Sequence, residues 1–366
     1  MARRIVVFAP HFAEYATRLA LALSRNVEVL LILEHRNRIQ ECGSDLWSEA
    51  KSALQILEYN SVGRWNKLRS LSAIVWQILR FRPDLMNVQE QIDSLTATVS
   101  WLFQRILPIV LTIHDPIPHT GSDTSYVLEN LKNRSRIRNA ARAFHAHGRY
   151  CAEIVKGEID EDRPILETQH GVLFVPRVDQ QQEPHPRSIL MFGRMENYKG
   201  LETLLNAFSI LSSRKSNFTL TIAGRGPELE RLRKRIQTMT NTTVLEQFFE
   251  PDEVVSLIQN CAAVVTPYDN ATQSGVISAA YGNGRPVIAS RSGGLTDSVA
   301  EGVSGLLFPP GDADALAIAV QSLFSKPQQY KSFRSGAESQ RDGEFSWAHI
   351  SDMFLAFVNA KPWMKR

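Results

Sequence analysis

The chain reads as an α/β protein built from two doubly wound parallel-sheet domains of similar size. Two observations predict this. Short apolar runs alternate with segments of helical periodicity along most of the length, which is the pattern of strand–crossover–strand units. The alternation breaks once, at the polar, proline-containing residues 180–187, and then restarts. Such a break reads as a linker.

The elements follow in order. Residues 5–8 form a first apolar run, with a helix expected over 14–24 and a second strand over 27–33. Residues 84–88 and 110–113 are further strands, each after a helix-like segment, and 141–146 and 165–168 continue the series. After the break, strands are expected at 189–192, 218–223, 243–245, 262–266, 286–289 and 305–308. Near the end, Trp347, Ile350, Phe354 and Phe357 recur close to helical spacing, so a last helix is expected to pack back on the body. The expected domains are residues 1–172, with that helix (346–366) on it, and residues 187–345. A cleft between two such domains is the natural place for a ligand.

Composition narrows the function. Among 366 residues, 41 basic side chains face 38 acidic ones, a net charge of +3. That near-balance argues against a general nucleic-acid binder. The three cysteines, Cys42, Cys151 and Cys261, are far apart and form no metal-like pair, which points to a reducing compartment. The start of the chain lacks the features of a signal peptide. No apolar stretch is long enough to span a bilayer. A cytoplasmic protein is expected, with attachment to the inner face of a membrane left open.

The most informative segment is Gly193-Arg194 followed by Lys199-Gly200. An apolar run ends in a glycine turn bearing an arginine, and a lysine follows five residues later. Leu201, Leu204, Leu205, Phe208 and Leu211 then mark an amphipathic helix. Two cations beside a helix N-terminus suit a diphosphate; a solvated turn with two surface cations is the alternative. Three more segments point the same way. The stretch around Gly224 runs Ala-Gly-Arg-Gly-Pro-Glu, with a proline where a helix should start. Gln273, Ser274, Gly275 and Val276 precede another helix, whose first amides could cradle an anion. Asn283-Gly-Arg-Pro and Ser292-Gly-Gly lead to a Glu-Gly-Val-Ser-Gly-Leu-Leu-Phe-Pro-Pro-Gly-Asp run ending at Asp312.

In this order the motifs resemble the C-terminal half of the retaining GT-B glycosyltransferases of family 4, over residues 188 to about 325. The resemblance implies two Rossmann-like domains facing a cleft. It implies transfer of a sugar from a nucleoside diphosphate donor to a glycan, lipid-linked or small-molecule acceptor, as in cell-surface polysaccharide or glycoconjugate synthesis. Arg194 and Lys199 would hold the donor diphosphate, and the loop from Thr272 to Val276 would face the donor sugar and phosphate. No metal or other cofactor is expected, because the two cations can do a metal's work. One departure is serious. The family usually has two glutamates eight positions apart, one by the donor sugar and one on the ribose; here those positions are Ala271 and Ala279. Gln273, Asn270 and Thr272 are nearby polar substitutes, and Ser278 reaches a ribose only if the helix register shifts.

The first half carries weaker signals. A strand ends in His114-Asp115, and prolines stiffen the loop toward His119. In the family a histidine at such a strand end faces the donor sugar, and the resemblance gives that role to His114. Asp115, His119 and His11 are acceptor-side candidates; each reads equally as an ordinary loop or packing residue. Relatives often have a glycine-rich turn after the first strand, where this chain has Pro10-His11-Phe12. Two basic stretches, 132–142 and 65–82, suit an anionic membrane surface or a phosphate-bearing acceptor, or are solvated helix faces. Because the glutamates are missing, a catalytically silent GT-B partner protein stays open as an alternative, as does a nucleotide-sugar epimerase.

Overall fold

The computed structural model describes residues 2–117, 130–159, 162–176 and 182–360. The chain divides into two compact units: Met1–Gln169 with Trp347–Arg366, and His170–Ser346.

In the first unit, β1 (Arg4–Ala9), β2 (Glu28–Glu34), β3 (Gln55–Tyr59), β4 (Leu85–Gln89), β5 (Ile109–Ile113), β6 (Ala143–His147) and β7 (Ile165–Thr168) form one sheet among the described residues. Its order is β3-β2-β1-β4-β5-β6-β7, and every pair is parallel. Helices α1 (Ala13–Leu23), α2 (His35–Glu41), α3 (Ser44–Ala53), α4 (Arg64–Phe81), α5 (Ser94–Phe103), α6 (Leu131–Ala140) and α7 (Gly148–Glu158) make the connections. Strand β3 lies outside the expected series. It is an edge strand whose last residue, Tyr59, is its one buried position, so it lacks the continuous apolar run of a central parallel strand.

Alternation along β1 and β2 sends side chains to two cores. Val6, Phe8, Leu30 and Ile32 pack with Ile74 and Ile78 of α4 and with Leu95, Val99 and Phe103 of α5. Ile5, Val7, Leu31 and Leu33 pack with α1 and with the last helix, α15 (Trp347–Asn359), through Ile350, Phe354 and Val358. The Ala2 amide also donates to Asn359 Oδ1 at 2.9 Å. Asp93 caps α5, accepting from the amides of Leu95 and Thr96 at 2.7 and 2.9 Å.

The second unit has β8 (Ser188–Phe192), β9 (Thr219–Ala223), β10 (Thr242–Leu245), β11 (Ala263–Thr266), β12 (Val287–Ser290) and β13 (Gly305–Phe308). Their order is β10-β9-β8-β11-β12-β13, again all parallel. A 3-10 turn (Asn197–Lys199) and helices α8 (Leu201–Ser213), α9 (Pro227–Ile236), α10 (Pro251–Asn260), α11 (Gly275–Gly282), α12 (Leu295–Ser298), α13 (Ala313–Leu323) and α14 (Pro327–Asp342) complete it. Residues 170–176 and 182–187 belong to this unit. The Val172 amide donates to Phe345 O at 3.0 Å, and the His185 amide to Asn260 O at 3.1 Å. The expected linker at 180–187 is thus partly docked on this unit; residues 177–181 lie outside the described ones.

The basic stretch 132–142 is largely structural. Arg138 is buried and pairs with Glu90 at 2.7 Å, also reaching Glu158. Arg134 reaches Glu158 at 3.2 Å. This ties α6 to α7 and to the end of β4. Removing one member of a buried pair leaves a charge uncompensated. Glu90→Ala should therefore destabilise the protein by roughly 3 kcal/mol, read as a lower urea midpoint with an unchanged slope. A loss under about 0.5 kcal/mol would put this pair among surface ion pairs in energy.

Candidate functional site

In the second unit the sequence-marked residues gather at the carboxyl ends of β8, β9, β11 and β12. After β8 the chain turns at Gly193, whose φ is 112°, and the 3-10 turn then delivers Lys199. After β9 the turn uses Gly224 at φ 142° and Gly226 at φ 156°. The two turns lie against each other: the Gly193 amide donates to Ala223 O at 3.0 Å, and the Met195 amide to Arg225 O at 2.7 Å. A Cβ on Gly224 would stand 1.9 Å from Gly193 O. The glycine is demanded by this close approach as well as by its φ.

Lys199 is buried. Its ammonium donates to Tyr268 Oη at 3.1 Å and lies 4.6 Å from the centre of the Tyr268 ring. A buried ammonium needs compensation, and the ring face and phenol oxygen supply part of it. Burial in turn pushes the Tyr268 phenol well above its ordinary pKa, so the tyrosine is a neutral partner. The site around Gly193 is shared: a Cβ there would meet Lys199 Nζ at 3.6 Å and Val276 Cγ2 at 4.0 Å. Gly193, Lys199, Gly224 and Val276 therefore converge. Arg194, next in the same turn, is exposed.

The loop from Pro267 to Ser274 is pinned from several sides. The Asp269 amide donates to Tyr198 O at 2.7 Å, and the Gly294 amide to Ala271 O at 3.1 Å. Ser292 Oγ donates to Asp269 O at 3.0 Å, and Ser290 Oγ to Tyr268 O. Partial burial raises the Asp269 carboxyl above its ordinary pKa. Gly200, at φ 66°, presses on Pro267 so closely that a Cβ would meet its carbonyl at 1.9 Å. Ser274 is the N-cap of α11, and Gly275 and Val276 open its first turn, where amides have no intrahelical partner. Gln273 Oε1 is buried with no hydrogen-bond partner among the described residues, and the Ser274 hydroxyl lies beside the Tyr268 phenol. An unpartnered buried atom is costly unless something completes it. Ala271 and Ala279 are both buried, and Ser278 Oγ is committed to His170 O at 3.1 Å. Asn270 is exposed.

In the first unit, His114 is buried at the end of β5, and both its ring nitrogens are engaged. Nε2 lies 2.8 Å from Gln89 Oε1, and Nδ1 lies 3.2 Å from His147 Nε2. Gln89 Nε2 donates to Asn87 Oδ1 at 2.6 Å, which fixes the amide and makes Oε1 an acceptor. His114 then carries its proton on Nε2 in the neutral form and accepts from His147 on Nδ1. The network runs on. Asn87 Nδ2 donates to Thr112 Oγ1 at 2.9 Å, Thr112 meets His145 Nδ1 at 3.4 Å, and His145 Nε2 meets Thr168 Oγ1 at 2.7 Å. A direct hydrogen bond from the imidazole to a sugar hydroxyl would need this arrangement to open. The ring also stacks on Phe12 at 3.7 Å between centroids.

Phe12 stands where relatives often have a glycine-rich turn and adopts the left-handed region itself, at φ 63°. That conformation is unusual for a bulky residue, and the stack on His114 offsets part of its cost. His11 is held by Asn37 Nδ2 at 2.9 Å and lies 3.7 Å from Glu41. Asp115 is half-buried after β5. His119 lies outside the described residues. Sequence reading missed Tyr268, Gln89, His147 and the role of Phe12. Tyr268 could have been found, since it follows a parallel strand directly at its carboxyl end.

Gly224→Ala tests how far the two glycine turns depend on contact. It should lower the melting temperature by at least about 5 °C, a loss near 2 kcal/mol for a unit of this size. An unchanged melting curve would mean the turns separate without cost.

Residues 186–326 match the family of glycosyl transferases group 1. The glycogen synthase of Mycobacterium tuberculosis is 27% identical over 168 residues, which is 45% of this chain and 41% of the relative. The D-inositol 3-phosphate glycosyltransferase of Jonesia denitrificans is 30% identical over 203 residues, 50% of this chain and 47% of the relative. The chain thus spans about half the length of the curated relatives it matches. Among solved structures, HepE of Anabaena in complex with UDP has a TM-score of 0.70 at 17% identity, with 99% of this chain and 100% of that one covered. Sucrose-phosphate synthase of Thermosynechococcus elongatus has a TM-score of 0.71 at 18% identity, with 98% and 100% covered. At such identities the likeness is one of fold. Two all-parallel sheets with this strand order have the GT-B architecture, and residues 186–326 are similar to the glycosyl transferases group 1.

Proposed function

We propose that this protein is a retaining glycosyltransferase that takes a sugar from a nucleoside diphosphate donor. The observation that carries the reading is the buried Lys199 ammonium, set beside Gly193 and Val276 at the carboxyl ends of a parallel sheet. A buried ammonium beside glycine turns and a helix N-terminus suits a phosphate oxygen. HepE of Anabaena has been solved with UDP and with UDP-glucose, which fits a donor of this class.

In this reading Lys199 and Arg194 offset the negative charge that grows on the departing diphosphate. The first turn of α11 adds its amides and dipole. Gln273 Oε1 accepts from a hydroxyl of the donor sugar, and the Ser274 hydroxyl can donate to a phosphate oxygen. Gly193 leaves space for close approach. The chemistry uses no metal, since the two cations carry that role. The acceptor is a glycan, a lipid-linked or a small hydroxyl compound, met at the cytoplasmic face of a membrane. His114 faces the donor sugar in this reading, and His11, Asp115 and His119 belong to its acceptor side. The buried network around His114 gives that ring a positioning role in the first unit.

A second reading has one observation in its favour. Ala271 and Ala279 are buried methyl groups where the resemblance leads to expect two carboxylates. A protein that binds nucleotide without transferring sugar fits that loss.

The test is release of UDP, GDP or ADP from a panel of nucleotide-sugars, with binding followed by calorimetry. Arg194→Ala and Lys199→Ala should each lower turnover by about 10²–10³-fold, with folding intact by circular dichroism. A chelator should leave the rate unchanged. Wild-type turnover in either variant would remove the diphosphate assignment. Binding without turnover across the panel and a range of acceptors would favour the second reading, and absence of binding would overturn both.

A further inference from the structure

Helix α4 is apolar on two opposite sides. Its inward side places Ile74, Ile78 and Phe81 in the core. Its outward side carries Trp65, Leu68, Trp76 and Leu79. At about 100° per residue, these four fall within one narrow stripe opposite the buried one. Trp65 is 77% exposed and Trp76 is 58% exposed. An ordinary surface helix has one apolar stripe and a polar outer face. The neighbouring α5 packs on the same core cluster, and apolar side chains at its carboxyl end also face water. Its Trp101 is 60% exposed, and Leu102 and Ile106 are exposed beside it. Three of the chain's six tryptophans therefore face water on one layer of the first unit.

The charge on this layer has one sign. Arg69 and Arg80 share the outer stripe of α4, and Arg80 lies over the Trp76 ring at 5.2 Å. Lys67, Arg82 and Arg105 flank it. No aspartate or glutamate occurs in residues 61–82 or 94–114, although the whole chain is almost balanced at 41 basic against 38 acidic. A groove of about 460 Å³ runs between the helices, lined by Gly63, Lys67, Leu68, Leu71, Leu95 and Thr98. No helix among the described residues is long and apolar enough to cross a membrane.

We propose that the outward faces of α4 and α5 are a docking surface for an anionic phospholipid bilayer. Tryptophans with interleaved cations suit the headgroup boundary, where an aromatic ring meets both apolar chains and water. The lysine and arginines match lipid phosphates, and the groove offers room for part of a headgroup or acyl chain. A second copy of this chain is a poorer occupant, because a symmetric contact would set Arg69 and Arg80 near their own equivalents. This surface rests on the membrane part of the proposed function and is independent of its donor part.

The test is cosedimentation of the full chain with vesicles of phosphatidylcholine alone and of phosphatidylcholine with phosphatidylglycerol. Binding to the anionic vesicles should be at least about tenfold tighter and should weaken as salt rises. Tryptophan emission should shift to the blue and be quenched by brominated acyl chains. The triple variant Trp65→Ser, Trp76→Ser, Trp101→Ser should lose this binding at least tenfold, with unchanged melting temperature and nucleotide-sugar affinity. Arg69→Gln with Arg80→Gln should remove much of the salt dependence. Wild-type protein that ignores anionic vesicles overturns the proposal, as does a triple variant that binds like wild type. A concentration-dependent dimer abolished by the triple substitution also overturns it, by giving the face to a second copy. Vesicle binding lost while donor binding persists removes this surface alone; the reverse removes the donor reading alone.

Discussion

Everything at the candidate site depends on parallel pairing. In both sheets all strands run the same way, so all their carboxyl ends share one edge. In each sheet the order also reverses beside the first strand: β1 lies between β2 and β4, and β8 between β9 and β11. At such a point the loops on either side diverge and leave a crevice. In the second unit those loops are the Gly193 turn and the Pro267–Ser274 segment. The lysine, the two tyrosines around it and the cap of α11 meet there because of strand order, not because they are near in sequence.

The two units solve the same problem with different chemistry. The second unit uses glycine: Gly200, Gly224 and Gly226 bring backbone against backbone at distances no side chain would allow. The first unit has no glycine after β1. It places Phe12 in a left-handed conformation and stacks it on His114. It also threads Asn87, Gln89, Thr112, His145 and Thr168 through the centre of its sheet as one hydrogen-bonded row. Central parallel strands are ordinarily apolar on both sides. Polar groups so deeply buried specify their partners tightly, since each mismatch costs a desolvated atom. That row holds the His114 ring at a fixed angle.

Much of this was legible in the residue order. The apolar runs marked every strand except β3, whose Gln55 and Glu58 leave only two apolar residues together before Tyr59. The glycine turns at Gly193 and Gly224 were legible because their backbone angles exclude other residues. The convergence of Gly193, Lys199, Gly224 and Val276 was legible through motif order. The partners were harder to see. Tyr268 is marked by its place just after a strand, but it becomes a lysine's partner only when β11 lies beside β8. The engagement of both His114 nitrogens was likewise invisible, since Gln89 and His147 come from separate strands. The basic stretch of α6 looked like a surface patch until Glu90 and Glu158 were brought against it.

The return of α15 to the first unit has a consequence for the order in which the protein is made. The core around β1 and α1 is completed by Ile350, Phe354 and Val358, and the Ala2 amide finds its acceptor on Asn359. During synthesis the second unit emerges whole and can fold while the first still lacks a helix. The unit begun first is therefore finished last, and until then its α1 face stays uncovered for chaperones to hold.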